Sequence, residues 1–240
     1  MNDDQAMRIS VAFARAVTKT PPTGLCSACV ELLVVSGAGI TVMAASGQSG
    51  PLCVSSQRMA ALEDLQFTMG VGPCQDAFQT GLPVHAPRLD LPLGSRWPAF
   101  VDMARDVGIN AVFAYPLAVN GARVGVMTLY QDREGSLSTG QHADSLAVAG
   151  VITETVLSLQ DGAPEGVLAE SLEEAVAYRA EIHQASGMVS IQLHVPVEEA
   201  MVRIRAHAFV EGRPVGEVAG DIVARRLRLA DDRHQPGEGV

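Results

Sequence analysis

Two apolar runs, Ala111 to Val119 and Arg123 to Tyr130, flank the dipeptide Asn120-Gly121. Asn-Gly accepts positive φ at both positions, which the tight turn of a two-residue hairpin needs to match strand twist. The pair therefore predicts an antiparallel hairpin, and a hairpin this apolar must belong to a covered sheet. Gly39 to Ala45 has strand composition, Ser46 to Gly50 reads as a turn, and Leu52 to Ser55 reads as the returning strand. Pro83 to Ala86 adds a short strand. Helices are expected over Met7 to Val17, Leu25 to Val35, Gln57 to Leu65, Cys74 to Thr80 and Trp97 to Val107. Gly70-Val71-Gly72-Pro73 opens the fourth of these, and Gly81 and Gly108 close the last two. Ser138 with Gln141 forms a capping box before a helix that runs to about Leu159. Strands and helices in this order give an α+β domain with a central antiparallel sheet flanked by helices.

Beyond this domain the periodicity changes. Asp161 to Gly166 is a polar Gly/Pro break. Val167 to Tyr178 resumes a helical stripe through Leu168, Leu172, Ala175 and Val176, suited to pairing with its twin in a homodimer or to packing on its own domain. Three short amphipathic helices follow. Ile182, Ala185, Val189 and Leu193 form the first stripe; Val197, Ala200, Met201, Ile204 and Ala208 the second; Val215, Val218, Ala219 and Ile222 the third. Pro196 with Glu198 and Glu199 marks the start of the middle helix, Gly212 its end, and Pro214 the start of the last. Three buried faces make a small bundle. The expected boundaries are 1–160, a linker and signalling helix over 161–178, the bundle over 179–229 and a loose tail over 230–240.

The formal net charge is -10, so any nucleic-acid site must be local. Arg179, His183, Arg203, Arg205, His207, Arg213, Arg225, Arg226 and Arg228 fall outside the bundle's apolar stripes, and between Arg203 and Arg228 the acids are Glu211, Glu217 and Asp221. A basic stretch in an acidic chain is the footprint of a polyanion site. The alternative is a solvated face whose charges pair along the helix, as Asp221 and Arg225 would.

Hydrophobic residues make up 48% of the chain and charged residues 18%, enough apolar surface to exclude disorder. The N-terminus lacks the basic start and apolar run of a signal peptide, and Thr153, Glu154 and Thr155 interrupt the longest apolar stretch. A cytoplasmic protein without a membrane segment is expected. Cys26, Cys29, Cys53 and Cys74 are then reduced thiols by default. Cys26 and Cys29 form a CxxC inside an apolar helix and read as core. Cys74 follows Gly72-Pro73 at a helix start, where the dipole lowers a thiol pKa. The histidines make no metal-ligand spacing, and no phosphate loop, GxSxG or paired carboxylate supports catalysis. No cofactor is indicated.

Residues 179–229, "RAEIHQASGMVSIQLHVPVEEAMVRIRAHAFVEGRPVGEVAGDIVARRLRL", resemble an ANTAR domain, the three-helix RNA-binding module of transcription antitermination regulators. The resemblance rests on Ala185, Gly187, Met188 and Val189, on Glu199, Ala200, Ile204, Arg205 and Ala208, and on the third-helix stripe. Many members carry lysine where this chain has Ser186. The segments "GVGPCQDAFQTGLPV", "RWPAF" and "GINAVFAYPLAVNGARVGVMTLY" resemble a GAF domain, a small-molecule sensor fold, over roughly Arg8 to Leu159. The pairing implies a non-enzymatic regulator whose GAF domain senses a small molecule or cellular state and whose ANTAR bundle binds RNA hairpin loops in nascent transcripts. The expected RNA-contacting residues are Ser186, Gly187, Arg203, Arg205, His207, Arg213 and Arg225, with Cys74 and Trp97 expected at the GAF pocket. The rival reading is a protein–protein adaptor whose bundle docks on a regulatory partner.

Overall fold

The computed structural model describes residues 7–8, 10–13, 15, 24–43, 49–89, 96–161, 180–213 and 215–229. Two compact units emerge, Met1–Tyr178 and Arg179–Val240. Among the described residues no helix is long and apolar enough to cross a membrane. The stripe at Val167 to Tyr178, Pro214 and the tail lie outside the described residues.

In the first unit, β1 (Gly37–Met43), β2 (Ser49–Val54), β3 (Val84–Ala86), β4 (Ala111–Val119) and β5 (Ala122–Gln131) form one sheet in the order β2-β1-β5-β4-β3, with every pairing antiparallel. Asn120 and Gly121 adopt φ 50° and 84°, and Val119 faces Ala122 across the turn. Both conformations are left-handed, as this hairpin turn requires.

Alternation sorts the side chains to two faces. Ile40, Phe113, Tyr115, Met127 and Leu129 meet α1 (Leu25–Leu33) and α5 (Thr139–Asp161). On the other face, Val112 and Tyr130 meet α2 (Gln57–Met69) and α4 (Pro98–Asp106), while Ala114 and Val126 meet α3 (Pro73–Thr80). Covering both faces explains why β4 reads as a nearly unbroken apolar run.

Local signals position the helices. Ser56 caps α2 by accepting the Met59 N–H at 3.2 Å. Ser138 and Gln141 exchange both capping-box bonds at 3.1 Å. Gly70 and Gly81 end α2 and α3 in left-handed conformations, where glycine has no Cβ to clash. Two expectations need correction. α2 continues four residues past Leu65, because Gln66 and Phe67 extend its buried face. Ser49 and Gly50, expected in the turn, belong to β2, paired with Met43 and Val42.

The cysteine expectation is also corrected. Cys26 on α1 and Cys53 on β2 are joined in a disulfide, with Cα atoms 5.9 Å apart. Compartment reasoning gave reduced thiols, but folding the hairpin β1–β2 against α1 brings these two together. Cys29 is the buried core thiol expected of it, and burial pushes its pKa up to about 12.

The second unit consists of α6 (Ala180–Leu193), α7 (Val197–Glu211) and α8 (Val215–Val223). The buried residues of the three helices are those of the three stripes, with two differences: Val197, the first residue of α7, is exposed, and Ser186 of α6 is buried as well. Gly212 closes α7 at φ 63°.

Candidate functional site

The bundle's basic residues separate into paired and open groups. Arg203 reaches Glu199 one turn back at 2.8 Å. His207 Nε2 lies 3.2 Å from Glu211 Oε1, at ion-pair distance without hydrogen-bond alignment. Arg213 is surrounded by acids, with Asp221 at 2.6 Å, Glu211 at 3.3 Å and Glu217 at 3.6 Å. The hydrogen bond that Arg213 donates to Asp221 raises the Arg213 pKa further. In return Arg213, and then Arg226 at 2.8 Å, hold Asp221 below the usual aspartate range. Arg205 is half-buried with its Nε enclosed.

Sequence spacing offered Asp221 to Arg225; the structure gives Asp221 to Arg213 and Arg226 instead. The reason is local. The chain leaves α8 through a left-handed Arg225 at φ 58°, and Arg226 N–H then bonds back to the Asp221 carbonyl at 2.7 Å. This helix-ending geometry turns Arg225 off the α8 surface. Arg225 and Arg228 are exposed and, among the described residues, face no carboxylate at ion-pair distance. The positive edge of the bundle is thus at the end of α8.

Ser186 is fully buried, its hydroxyl donating to the His183 carbonyl at 2.8 Å. Its side chain serves the helix interior. Gly187 is half-exposed, and a Cβ there would meet nothing within 4 Å, so the backbone is open to approach.

In the first unit the two candidate pocket residues fall in separate clusters. Cys74 packs with Met43, Ala77, Ala114 and Val126. Trp97 packs with Phe100 and Val101, and its Nε1–H donates to Asp76 of α3 at 3.2 Å. Arg96 holds the same carboxylate at 2.8 Å, so Trp97 ties α4 to α3.

Sequence reasoning missed a buried polar group between these clusters. Thr41, Glu63, Gln66 and Thr128 are each no more than 3% exposed. The Thr41 hydroxyl donates to Glu63 Oε2, and Gln66 Oε1 accepts the Cys74 N–H at 2.7 Å. Gln66 Nε2 and Thr128 Oγ1 have no hydrogen-bond partner among the described residues. Thr128 sits between Gly39 and Ala114 in register, and Met59 and Glu63 pack over Gly39. The available clue was that Thr41 and Thr128 interrupt apolar strands at inward positions. Among the described residues no three His, Cys, Asp or Glu side chains are placed to hold a metal ion.

The opposite face carries a second polar cluster. Tyr115 hydroxyl lies 3.0 Å from His142 Nδ1, and the His85 ring stacks edge-on to His142 with centroids 4.8 Å apart. Burial, then the neighbouring His142, lowers the His85 pKa below 6.5. An unfolded histidine binds its proton more readily than this one, so stability is lost as pH falls below about 6.5. The thermal midpoint of the first unit will fall over that window. His85→Phe will shrink the fall, and an unchanged pH profile in the variant would contradict this reading.

Residues 15–156 match the family model described as GAF domain, and residues 170–223 match the model described as ANTAR domain. The chain is similar to the GAF domain from a phosphoenolpyruvate-protein phosphotransferase of Coxiella burnetii, at 12% identity and TM-score 0.51, over 68% of this chain and 98% of that one. It is likewise similar to the GAF domain from the Acinetobacter phosphoenolpyruvate-protein phosphotransferase, at 9% identity and TM-score 0.51, over 68% and 96%. At such identities the likeness is one of fold. No curated protein matches the chain.

Proposed function

Because the chain belongs to the GAF-domain family and carries an ANTAR domain in its C-terminal part, we propose that it is a signal-responsive, RNA-binding transcription antitermination regulator. The GAF domain is the sensory part and the ANTAR domain the regulatory part. The observation that carries the finer reading is the exposed Arg225 and Arg228 edge in a chain of net charge -10. RNA hairpin loops present splayed bases and phosphates, which arginine both pairs with and stacks on. Arg225 makes direct phosphate contact in this reading. Arg203, His207 and Arg213 join by exchanging Glu199, Glu211 and Glu217, whose side chains are exposed, for phosphate, a trade eased by the small net worth of surface ion pairs. Arg205 and Gly187 support the same surface, and Ser186 acts through the helix it braces.

The sensor ligand is a small molecule with hydrogen-bonding groups, received near Gln66 and Thr128, with Cys74 and Trp97 forming the surrounding walls. It must bind one state of the protein better than the other, since equal affinity shifts nothing. Transmission through a homodimer of paired helices completes the reading.

A second reading is favoured by one observation. Val202, Phe209 and Val210 are 60%, 62% and 83% exposed on α7, a surface on which a protein partner would dock.

In vitro transcription across a terminator preceded by a target hairpin tests the proposal. The protein will raise read-through, and Arg225→Glu with Arg228→Glu will abolish the increase while the fold remains. Read-through that never responds to the protein, across a library of hairpin leaders, would overturn it in favour of the adaptor.

A further inference from the structure

The first helix of the bundle carries two large apolar side chains outside its buried stripe. Met188 is half-buried, and Ile191 is 79% exposed. Water contact at Ile191 is unfavourable, and the bundle interior makes no use of it. Opposite them, the chain that leaves α8 at Arg225 runs back along α6, where Gln192 Nε2 donates to the Leu229 carbonyl at 2.6 Å. Between this strap and α6 lies a groove of about 600 Å³, within the range of about 300–1,000 Å³ typical of small-molecule sites. Met188, Ile191, Ile222 and Leu227 supply its apolar lining, and its charged lining residues are Arg225 and Arg228.

The backbone at Arg225 is a second observation. Both α7 and α8 end in the left-handed conformation, α7 with Gly212 at φ 63° and α8 followed by Arg225 at φ 58°. Glycine adopts this conformation without a Cβ penalty and is the usual choice. Arginine there costs stability, yet it places a guanidinium at the mouth of the groove.

An apolar floor with two cations and no acid at its edge matches a flat, uncharged ring joined to phosphates. We infer that this groove receives one unstacked loop nucleotide of the bound RNA, with its base on Met188 and Ile191 and its flanking phosphates on Arg225 and Arg228. The inference rests on the RNA-binding reading above and adds to it a base-receiving site. Phosphate contacts alone position a nucleic acid without reading it, whereas a seated base makes the complex depend on the loop.

The test uses the full chain and stem–loop RNAs of one stem with a randomised loop. The tightest binder is then scanned with abasic loop positions. One abasic position will weaken wild-type binding by about tenfold, the order found when a single base–side-chain stack is lost. Ile191→Ala with Met188→Ala will flatten that penalty to less than about twofold while leaving weaker, salt-sensitive binding, set by the remaining phosphate contacts. Both positions lie outside the buried stripe, and an unchanged thermal midpoint will show the fold is intact. Arg225→Gly will weaken binding to every loop severalfold, lower the salt slope by about one, and leave the thermal midpoint equal or higher. A full abasic penalty surviving in the Ile191 and Met188 variant would overturn the groove and spare the RNA reading. Absence of any RNA binding by the wild type at low salt would overturn both.

Discussion

Replacing Gly125 by alanine will destabilise the GAF domain by about 3 kcal/mol or more, a lowering of the thermal midpoint of roughly 6–12 °C. Gly125 lies in β5 opposite Val42 of β1 and Leu117 of β4. A Cβ there would stand 2.2 Å from the Thr41 carbonyl oxygen and 3.2 Å from the Val42 Cα. Those are backbone atoms of a strand held on both sides, by β2 and by β5, so no side-chain rotation relieves the clash. Only separating β1 from β5 would, and that opens the middle of the sheet. Gly121 is the matched control. It adopts φ 84°, yet a Cβ there would meet nothing within 4 Å. Gly121→Ala will cost only the left-handed backbone penalty, about 1 kcal/mol. Circular-dichroism melts of the two variants check the difference. Equal midpoints would mean that β1 and β5 do not pair in this register.

The second large effect is expected from Ile204→Ala. Ile204 is fully buried on α7, and the bundle core around it is built from Ala185, Val189, Ala200, Ala208, Val218 and Ala219 among few others. Truncating a buried isoleucine to alanine costs about 2–5 kcal/mol. A unit this small has only a few kcal/mol of stability in total. The bundle will therefore melt at or near room temperature while the GAF transition stays in place. RNA binding will disappear with the helix signal from the bundle. Hydrogen exchange resolved by segment reads both outcomes together: α6, α7 and α8 lose protection, and β4 and β5 keep theirs. Protection retained in α6–α8 would show that the three stripes do not depend on one another.

Elements specified by neighbours in sequence were legible. Asn120-Gly121, the Ser138–Gln141 box and the Gly212 cap each act over a few residues, so their chemistry is visible in the chain. The bundle stripes were legible because helical period alone selects one face; Val197 escaped because a first-turn residue has no helical neighbour before it to complete the face. Features set by tertiary approach were not. Cys26 and Cys53 carry no mark of their pairing until β2 folds back. Gln66 looks like a surface residue and is interior because α3 packs over it. Helical spacing offered Arg225 to Asp221, but the helix ends at Val223, two residues before Arg225. That same early ending leaves the guanidinium that the functional reading now leans on.

Equilibrium binding of the full chain to stem–loop RNA, measured over a salt series, tests the RNA claim most directly. If Arg225, Arg228 and the exchanging arginines meet phosphates, affinity falls linearly on logarithmic axes, with a slope of about -0.7 or steeper for each phosphate neutralised in single-stranded loop. Binding that is absent at low salt, or that does not change between low and physiological salt, would contradict it.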